Sequence, residues 1–335
     1  MRILVTGGAG YIGTHTCLEL LAAGYELLVV DNLCNSKEES LNRVRELSGR
    51  SLDFLRADLR DLEALRGLFR TWSVAGVIHL AGLKAVGESV AKPLAYYDNN
   101  LGGTLNLCRA MAEAGVRQLV FSSTATVYGE PTRFPLQEDF PLGATNPYSR
   151  TKWMIEEVLR DLYRADPSLN LTLLRYFNPV GAHPSGRVGE DPQGYPNNLM
   201  PFITQVAVGK RAELQIFGDD YPTPDGTGVR DYLHVVDLAR GHVQALKRLQ
   251  DQPGCRAYNL GTGRGYSVLE VVRAFTEVNQ VPIPYRIVAR RPGDVPCLYA
   301  DSSLAAAELG WRAELGLDAM VRDSWRWQSA NPDGY

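Results

Sequence analysis

The segment R-I-L-V-T-G-G-A-G-Y-I-G, Arg2 to Gly13, constrains this chain more than any other. Its apolar start reads as a buried strand, and an apolar-periodic stretch reaching about Ala23 reads as a helix. Between them the glycines satisfy G-x-G-x-x-G through Gly8, Gly10 and Gly13, and G-x-x-G-x-x-G through Gly7, Gly10 and Gly13. Glycine is required where a backbone turns tightly and lets an anion approach closely. The helix that follows then offers unpaired N–H groups and the positive end of its dipole. A strand, a glycine loop and a helix in that order open a sheet whose strands run parallel.

The next five strand patterns agree. They are Y-E-L-L-V-V-D (25–31), L-D-F-L-R-A-D (52–58), V-A-G-V-I-H-L (74–80), R-Q-L-V-F-S-S (117–123) and L-T-L-L-R-Y-F (171–177). Helical stretches separate them, including about Pro93–Ala114 and Pro147–Ala165. Near-continuous apolar strands alternating with helices predict an α/β fold with a doubly wound, Rossmann-type parallel sheet over residues 1–177. After Phe177 the texture changes. Residues 178–230 are rich in Pro, Gly and Asn, with one helix-like run near Asn198–Gly209. V-R-D-Y-L-H-V-V-D and A-Y-N-L-G read as strands returning to the first lobe near 229–262. The expectation is a smaller, partly interleaved C-terminal α/β lobe over 178–335.

The chain has 335 residues and a formal net charge of -3, so its overall field gives no case for nucleic acid or an anionic membrane surface. Any anionic ligand has to be held by local groups. Cys17, Cys34, Cys108, Cys255 and Cys297 are scattered and lack C-x-x-C spacing, which argues against a disulfide framework or a metal site and for a reducing, cytoplasmic setting. No apolar run approaches the roughly 20 residues of a membrane helix, and M-R-I-L-V-T-G-G is no signal peptide.

Asp31 stands at the end of the second strand, 18 residues past Gly13. A carboxylate there can accept both ribose hydroxyls of an adenosine and would repel a 2′-phosphate, so the loop reads as a site for NAD rather than NADP. In Y-S-R-T-K, Asn146 suits an N-cap and Pro147 a first helical position, which puts Tyr148 in the first turn and Lys152 one turn on, on the same face. Ile155, Val158, Leu159 and Leu162 would form the buried stripe of this helix. A free phenol titrates near about 10, so a tyrosine base near neutrality needs its phenolate favoured by about 4 kcal/mol. One cation at ~4 Å supplies about that much at an effective dielectric of ~20. Thr124, in F-S-S-T-A-T-V-Y-G, adds a hydroxyl at a strand's carboxyl end, where ligands of open parallel sheets bind.

The glycine loop, the Thr124 hydroxyl and Tyr-x-x-x-Lys together resemble the extended short-chain dehydrogenase/reductase superfamily, and within it the UDP-glucose 4-epimerase family. The likeness runs along nearly the whole chain, through D-N-L-C-N-S, A-G-L-K-A-V-G-E-S-V, Y-Y-D-N-N, R-Y-F-N-P-V-G-A-H-P-S-G, G-E-D-P-Q-G-Y-P-N-N-L-M-P and D-G-T-G-V-R-D-Y-L-H-V-V-D. It implies reversible epimerisation of UDP-galactose and UDP-glucose at C4 through a 4-keto intermediate. NAD would be retained throughout, with Tyr148 as base, Lys152 as its electrostatic activator and Thr124 beside them. The family's cofactor contacts carry over to Gly7, Gly10, Tyr11, Ile12, Gly13, Asp31, Asn32, Asn35, Ser36, Asp58, Leu59, Lys84, Asn99 and Phe177. Its substrate contacts carry over to Lys84, Asn178, Asn198, Leu199, Arg230, Arg291, Asp294 and Leu298. Arg230 and Arg291 are the expected forks for pyrophosphate or ribose. A homodimer built on helices near 93–114 and 148–165 is implied as well.

Two departures stand out. Thr124 replaces the family's usual Ser, and Leu298 replaces a Tyr found in galactose-restricted members, which implies side activity on UDP-N-acetylhexosamines. A nucleotide-sugar 4,6-dehydratase would need an acid pair after Thr124, where Ala125 and Thr126 stand instead. An NAD-sensing protein on a degenerate version of the fold would be expected to lack Tyr148 or Lys152.

Overall fold

The structure, a computed structural model, describes residues 1–251, 254–291 and 294–335. In chain order the strands are β1 (Arg2–Thr6), β2 (Glu26–Asp31), β3 (Asp53–Arg56), β4 (Gly76–His79), β5 (Gln118–Thr124), β6 (Asn170–Tyr176), β7 (Asn178–Val180), β8 (Leu214–Phe217), β9 (Val229–His234), β10 (Cys255–Leu260), β11 (Gly265–Ser267), β12 (Tyr285–Val288) and β13 (Cys297–Leu298). The helices are α1 (Tyr11–Ala22), α2 (Glu39–Ser48), α3 (Leu62–Thr71), α4 (Val86–Ala91), α5 (Pro93–Tyr96), α6 (Gly103–Glu113), α7 (Pro147–Ala165), α8 (Leu199–Ala207), α9 (Val235–Asp251), α10 (Val268–Asn279), α11 (Ser303–Leu309) and α12 (Leu317–Ala330).

Among the described residues the main sheet has seven strands in the order β10-β6-β5-β4-β1-β2-β3, and every neighbouring pair is parallel. Its central strands are apolar and fully buried because each face is covered. Ile3, Val5, Leu27 and Val29 pack in one layer with Cys17, Leu20, Leu21, Leu41 and Leu246. Leu4, Leu28, Val77 and Phe121 pack in the other with Leu65, Leu107, Met111, Ile155 and Leu159. The strand order reverses between β1 and β4, and the crevice at the carboxyl ends of such strands is where this architecture binds ligands.

The second lobe holds β7, β9, β11 and β13 in one small sheet and β8 with β12 in another, over a core that includes Ile203, Ile216, Val272, Phe275 and Met320. The stretch 229–262 divides between the lobes. β10 joins the main sheet beside β6, whereas β9 pairs with β7 and β11 in the second lobe. The long helix expected over 93–114 is interrupted. After α5 the backbone widens into a π-helical turn, Tyr97–Gly102, before α6. The stripe expected on α7 is also different. Ile155 and Leu159 are buried with Glu156 and Lys152, Val158 is only partly covered, and Leu162 is 37% exposed.

Candidate active site

The glycine loop is shaped by what it must avoid. Gly7 has φ +71°, and a Cβ on it would come within 2.6 Å of the Ala81 amide nitrogen. A Cβ on Gly13 would meet the Gly7 carbonyl oxygen and the Gly8 backbone, at 2.6 Å from the Gly8 Cα. These contacts let α1 start hard against the loop, and Gly10 supplies no side-chain cap to the first turn. The amides of that turn are the kind of donor set an anion takes. Ile12 sits partly buried against the core. The Tyr11 hydroxyl turns to the other lobe and donates to the Gly181 carbonyl at 2.7 Å.

Asp31 ends β2 with its carboxylate held by three donors: Ala9 N at 3.1 Å, Leu33 N at 2.9 Å and Ser36 Oγ at 2.9 Å. It is thereby fixed beside the glycine loop. Asn32 donates to Asp58 at 3.0 Å, and hydrogen bonds from Arg60 hold the Asp58 carboxyl well below the usual carboxylate range. Asn35 is exposed on the same loop. Leu59 is buried, and Gly103 packs tightly against it. A cradle that excludes Cβ atoms, an uncapped helix start and a fixed carboxylate at the end of β2 fit a dinucleotide whose adenosine ribose carries free hydroxyls.

Next to this cradle lie the reacting groups of the sequence reading. Asn146 accepts from Ser149 N at 2.9 Å and Pro147 opens α7, which sets Tyr148 in the first turn. Thr124 ends β5, 7% exposed, with its hydroxyl oxygen accepting from Thr126 N at 3.2 Å and lying 3.1 Å from Thr126 Oγ1. Burial pushes the Tyr148 phenol up to about 12, and the nearby Thr124 hydroxyl partly offsets that rise. Lys152 is buried and donates to the Ser122 carbonyl at 2.7 Å. Its ammonium lies 4.9 Å from the centre of the Phe121 ring and would be 3.5 Å from a Cβ on Gly82. Burial lowers its pKa to about 7. The two groups are thus shifted opposite to the expectation of a phenol already acidified by a charged lysine. Desolvation penalises both charges in this chain on its own.

Asn99 lies in the π-helical turn and donates to Asn100 at 2.9 Å. Asn100 in turn bonds Leu83 N at 2.8 Å and Thr151 Oγ1 at 3.1 Å, tying the loop after β4 to α7. Lys84, on that loop, reaches Glu190 at 3.2 Å.

A cleft in the second lobe brings together Asn178, Asn198, Leu199, Arg230, Arg291 and Asp294. Arg291 is not a free fork. Its guanidinium is paired twice with Asp294, at 2.9 and 3.1 Å, and lies over the Phe217 ring. Arg230 donates to the Val229 carbonyl at 2.9 Å. Leu298 is not among the residues lining this cleft, but it pairs with the cleft residue Arg230 between β13 and β9 and is 6% exposed in a small core with Phe177, Ala125 and Tyr128.

Sequence reasoning missed Phe217 and Tyr221, which line the cleft, and the buried pair Glu156–Arg175. Arg175 grips Glu156 at 2.6 Å with both side chains essentially inaccessible, and Ser123, the neighbour of Thr124, donates to the same carboxylate. The signals were present: Glu156 lies one turn beyond Lys152 on the same face, and Arg175 is the lone charge in an apolar strand.

A dinucleotide cradle joined to a Thr–Tyr–Lys cluster and a basic cleft defines the class. A model of the NAD dependent epimerase/dehydratase family matches residues 3–261, and the chain belongs to that family. It is similar along its length to UDP-glucose 4-epimerases. It is 62% identical to the Bacillus subtilis (strain 168) protein, covering 100% of this chain and 99% of that one. It is 59% identical to the Homo sapiens protein, covering 100% and 98%. The solved Bifidobacterium longum UDP-glucose 4-epimerase, in complex with NAD+ and UDP, has a TM-score of 0.97 and 53% identity, covering 100% of both chains.

Proposed function

We propose that this chain interconverts UDP-galactose and UDP-glucose at C4, with NAD held in the glycine-loop cradle. The observation that carries this reading is the placement of Thr124 at the carboxyl end of β5, with Tyr148 in the first turn of α7 and the buried Lys152 one turn further along, tied to β5 through the Ser122 carbonyl at 2.7 Å. Bound NAD supplies an acceptor for hydride from C4 and a donor for its return. Tyr148 takes the proton of the sugar 4-hydroxyl and later gives it back, so one phenol serves both directions. Lys152, when protonated, favours the phenolate, and Thr124 steadies the hydroxyl by hydrogen bonding. The first-turn amides of α1 hold the cofactor pyrophosphate, and Asp31 takes the adenosine ribose. Asn178, Asn198, Arg230 and Arg291 grip the UDP portion, leaving the hexose free to turn over. Ala125 and Thr126 offer no acid after Thr124, which disfavours dehydration.

The test is incubation of purified protein with UDP-galactose and no added NAD. UDP-glucose should form, and absence of conversion even with NAD supplied would sink the reading. Side activity on UDP-N-acetylhexosamines belongs to the same proposal and is supported by Leu298 in place of a bulkier phenol. A homodimer fits the exposed apolar side chains Val90, Leu94 and Met154 on α4, α5 and α7, which pack on one another. Sedimentation should give twice the monomer mass. A cytoplasmic setting is supported by the five free cysteines. Among the described residues no helix is long and apolar enough to cross a membrane.

A further inference from the structure

One oxygen atom joins the two lobes at the site. Oε1 of Glu190 accepts from Lys84 Nζ at 3.2 Å and from Asn198 Nδ2 at 2.9 Å. Lys84 belongs to the loop after β4, in the cofactor lobe. Asn198 is the residue preceding α8 and lines the cleft. The Glu190 side chain is only 11% exposed, so the shared oxygen is largely shielded from competing water.

The backbone that delivers this carboxylate is gripped by Trp327 and Tyr335, from α12 and the segment after it. Trp327 Nε1 donates to the Glu190 carbonyl at 3.1 Å. Gly189 N donates to the Tyr335 hydroxyl at 3.1 Å, and that hydroxyl in turn lies 3.2 Å from the Gly189 carbonyl oxygen. Gly189 must be glycine, because a Cβ there would run into the Trp327 ring, with Cδ2 at 2.5 Å and Cγ and Cδ1 closer still. Tyr335 N and Lys37 both hold Asp191. Segment 189–191 is therefore built to present Glu190.

We propose that Glu190 is a positioning residue that sets the Asn198 amide for the ligand in the cleft and links its placement to Lys84. An ionised carboxylate only accepts hydrogen bonds, so Glu190 fixes which end of the amide faces it and which remains for the ligand. This rests on the reading of the cleft as the UDP site, and direct UDP binding separates the two.

UDP affinity is measured by calorimetry for wild type, Glu190→Met, Glu190→Ala, Glu190→Gln, Asn198→Ala and the Glu190→Met/Asn198→Ala double variant. Loss of one charge-assisted bond should weaken UDP about tenfold in Glu190→Met and Glu190→Ala. The KM for UDP-galactose should rise in step while kcat stays within about threefold, the pattern of lost ground-state binding. Glu190→Gln keeps an acceptor oxygen and should recover most of the affinity. The double variant should be no worse than Asn198→Ala alone, since the two act through one contact. Two truncations guard against a folding failure in either. Wild-type affinity in the truncations, or additive losses in the double variant, overturns the proposal. A wild type that does not bind UDP overturns the underlying reading and this inference with it.

Discussion

Lys152 donates its ammonium to the carbonyl oxygen of Ser122, 2.7 Å away, two residues before Thr124 in the same strand. The lysine thereby locks α7 to β5, the two elements that carry Tyr148 and Thr124. Its pKa near 7 gives it a second property. A lysine that titrates near 7 folded and near 10.5 unfolded binds fewer protons in the folded chain between those values. Its burial penalty is complete below pH 7 and is relieved as pH rises towards 10.5. Lys152→Met should therefore be more stable than wild type at pH 7 in the cofactor-free chain, with an advantage that shrinks by pH 10. Urea midpoints of both proteins across that range test it.

Tyr148→Phe removes the oxygen proposed as the proton acceptor and little else. Turnover should fall by about 10²- to 10⁴-fold, the usual worth of a general base. NAD content and UDP affinity should persist. Kinetics, together with assay of NAD released on denaturation, separate the two effects.

Gly13→Ala would force a methyl into the backbone of Gly7 and Gly8. Overpacking of that kind costs about 1–3 kcal/mol and here would also move the start of α1. The variant should melt lower and be purified with little NAD, as seen by thermal denaturation and cofactor assay.

Removing one member of the buried Glu156–Arg175 pair strands the other's charge. Arg175→Met alone should lose about 3–5 kcal/mol, whereas Arg175→Met with Glu156→Leu should recover much of that. Denaturant titration of the three proteins checks the order.

Leu298 contributes to the small core around Phe177. Wild type should turn over UDP-N-acetylglucosamine measurably, and Leu298→Tyr should lose that activity while keeping UDP-galactose turnover. A wild type inert towards the N-acetyl substrate at high enzyme concentration would remove this expectation.

Much of the first lobe could be read from its sequence because its central strands are buried on both faces. Ile3 to Val5 and Leu27 to Val30 announce themselves without reference to any partner. What was not legible depends on contacts between distant residues. Periodicity placed Leu162 inside α7, yet Glu156 is the buried one, because Arg175 meets it from β6. The widened turn at Tyr97–Gly102 leaves no mark in an apolar pattern, and Asn100 bridges Leu83 and Thr151 from within it. By resemblance Lys84 reads as a cofactor and substrate contact, and its pairing with Glu190, 106 residues on, leaves no local signal at either position.

β10 and α9 belong to the first lobe although much of the second lobe precedes them in the chain. β10 is the edge of the main sheet, and α9 covers α1. A ribosome extending this chain would finish strands β1 to β6 long before it delivered these last two pieces. Until then the outer edge of β6 would remain an open template and one side of α1 would be bare. The nascent lobe therefore needs roughly its first 260 residues outside the exit tunnel before its sheet can close, and cutting the gene after residue 177 would yield a fragment with an unpaired edge rather than a portable nucleotide-binding module.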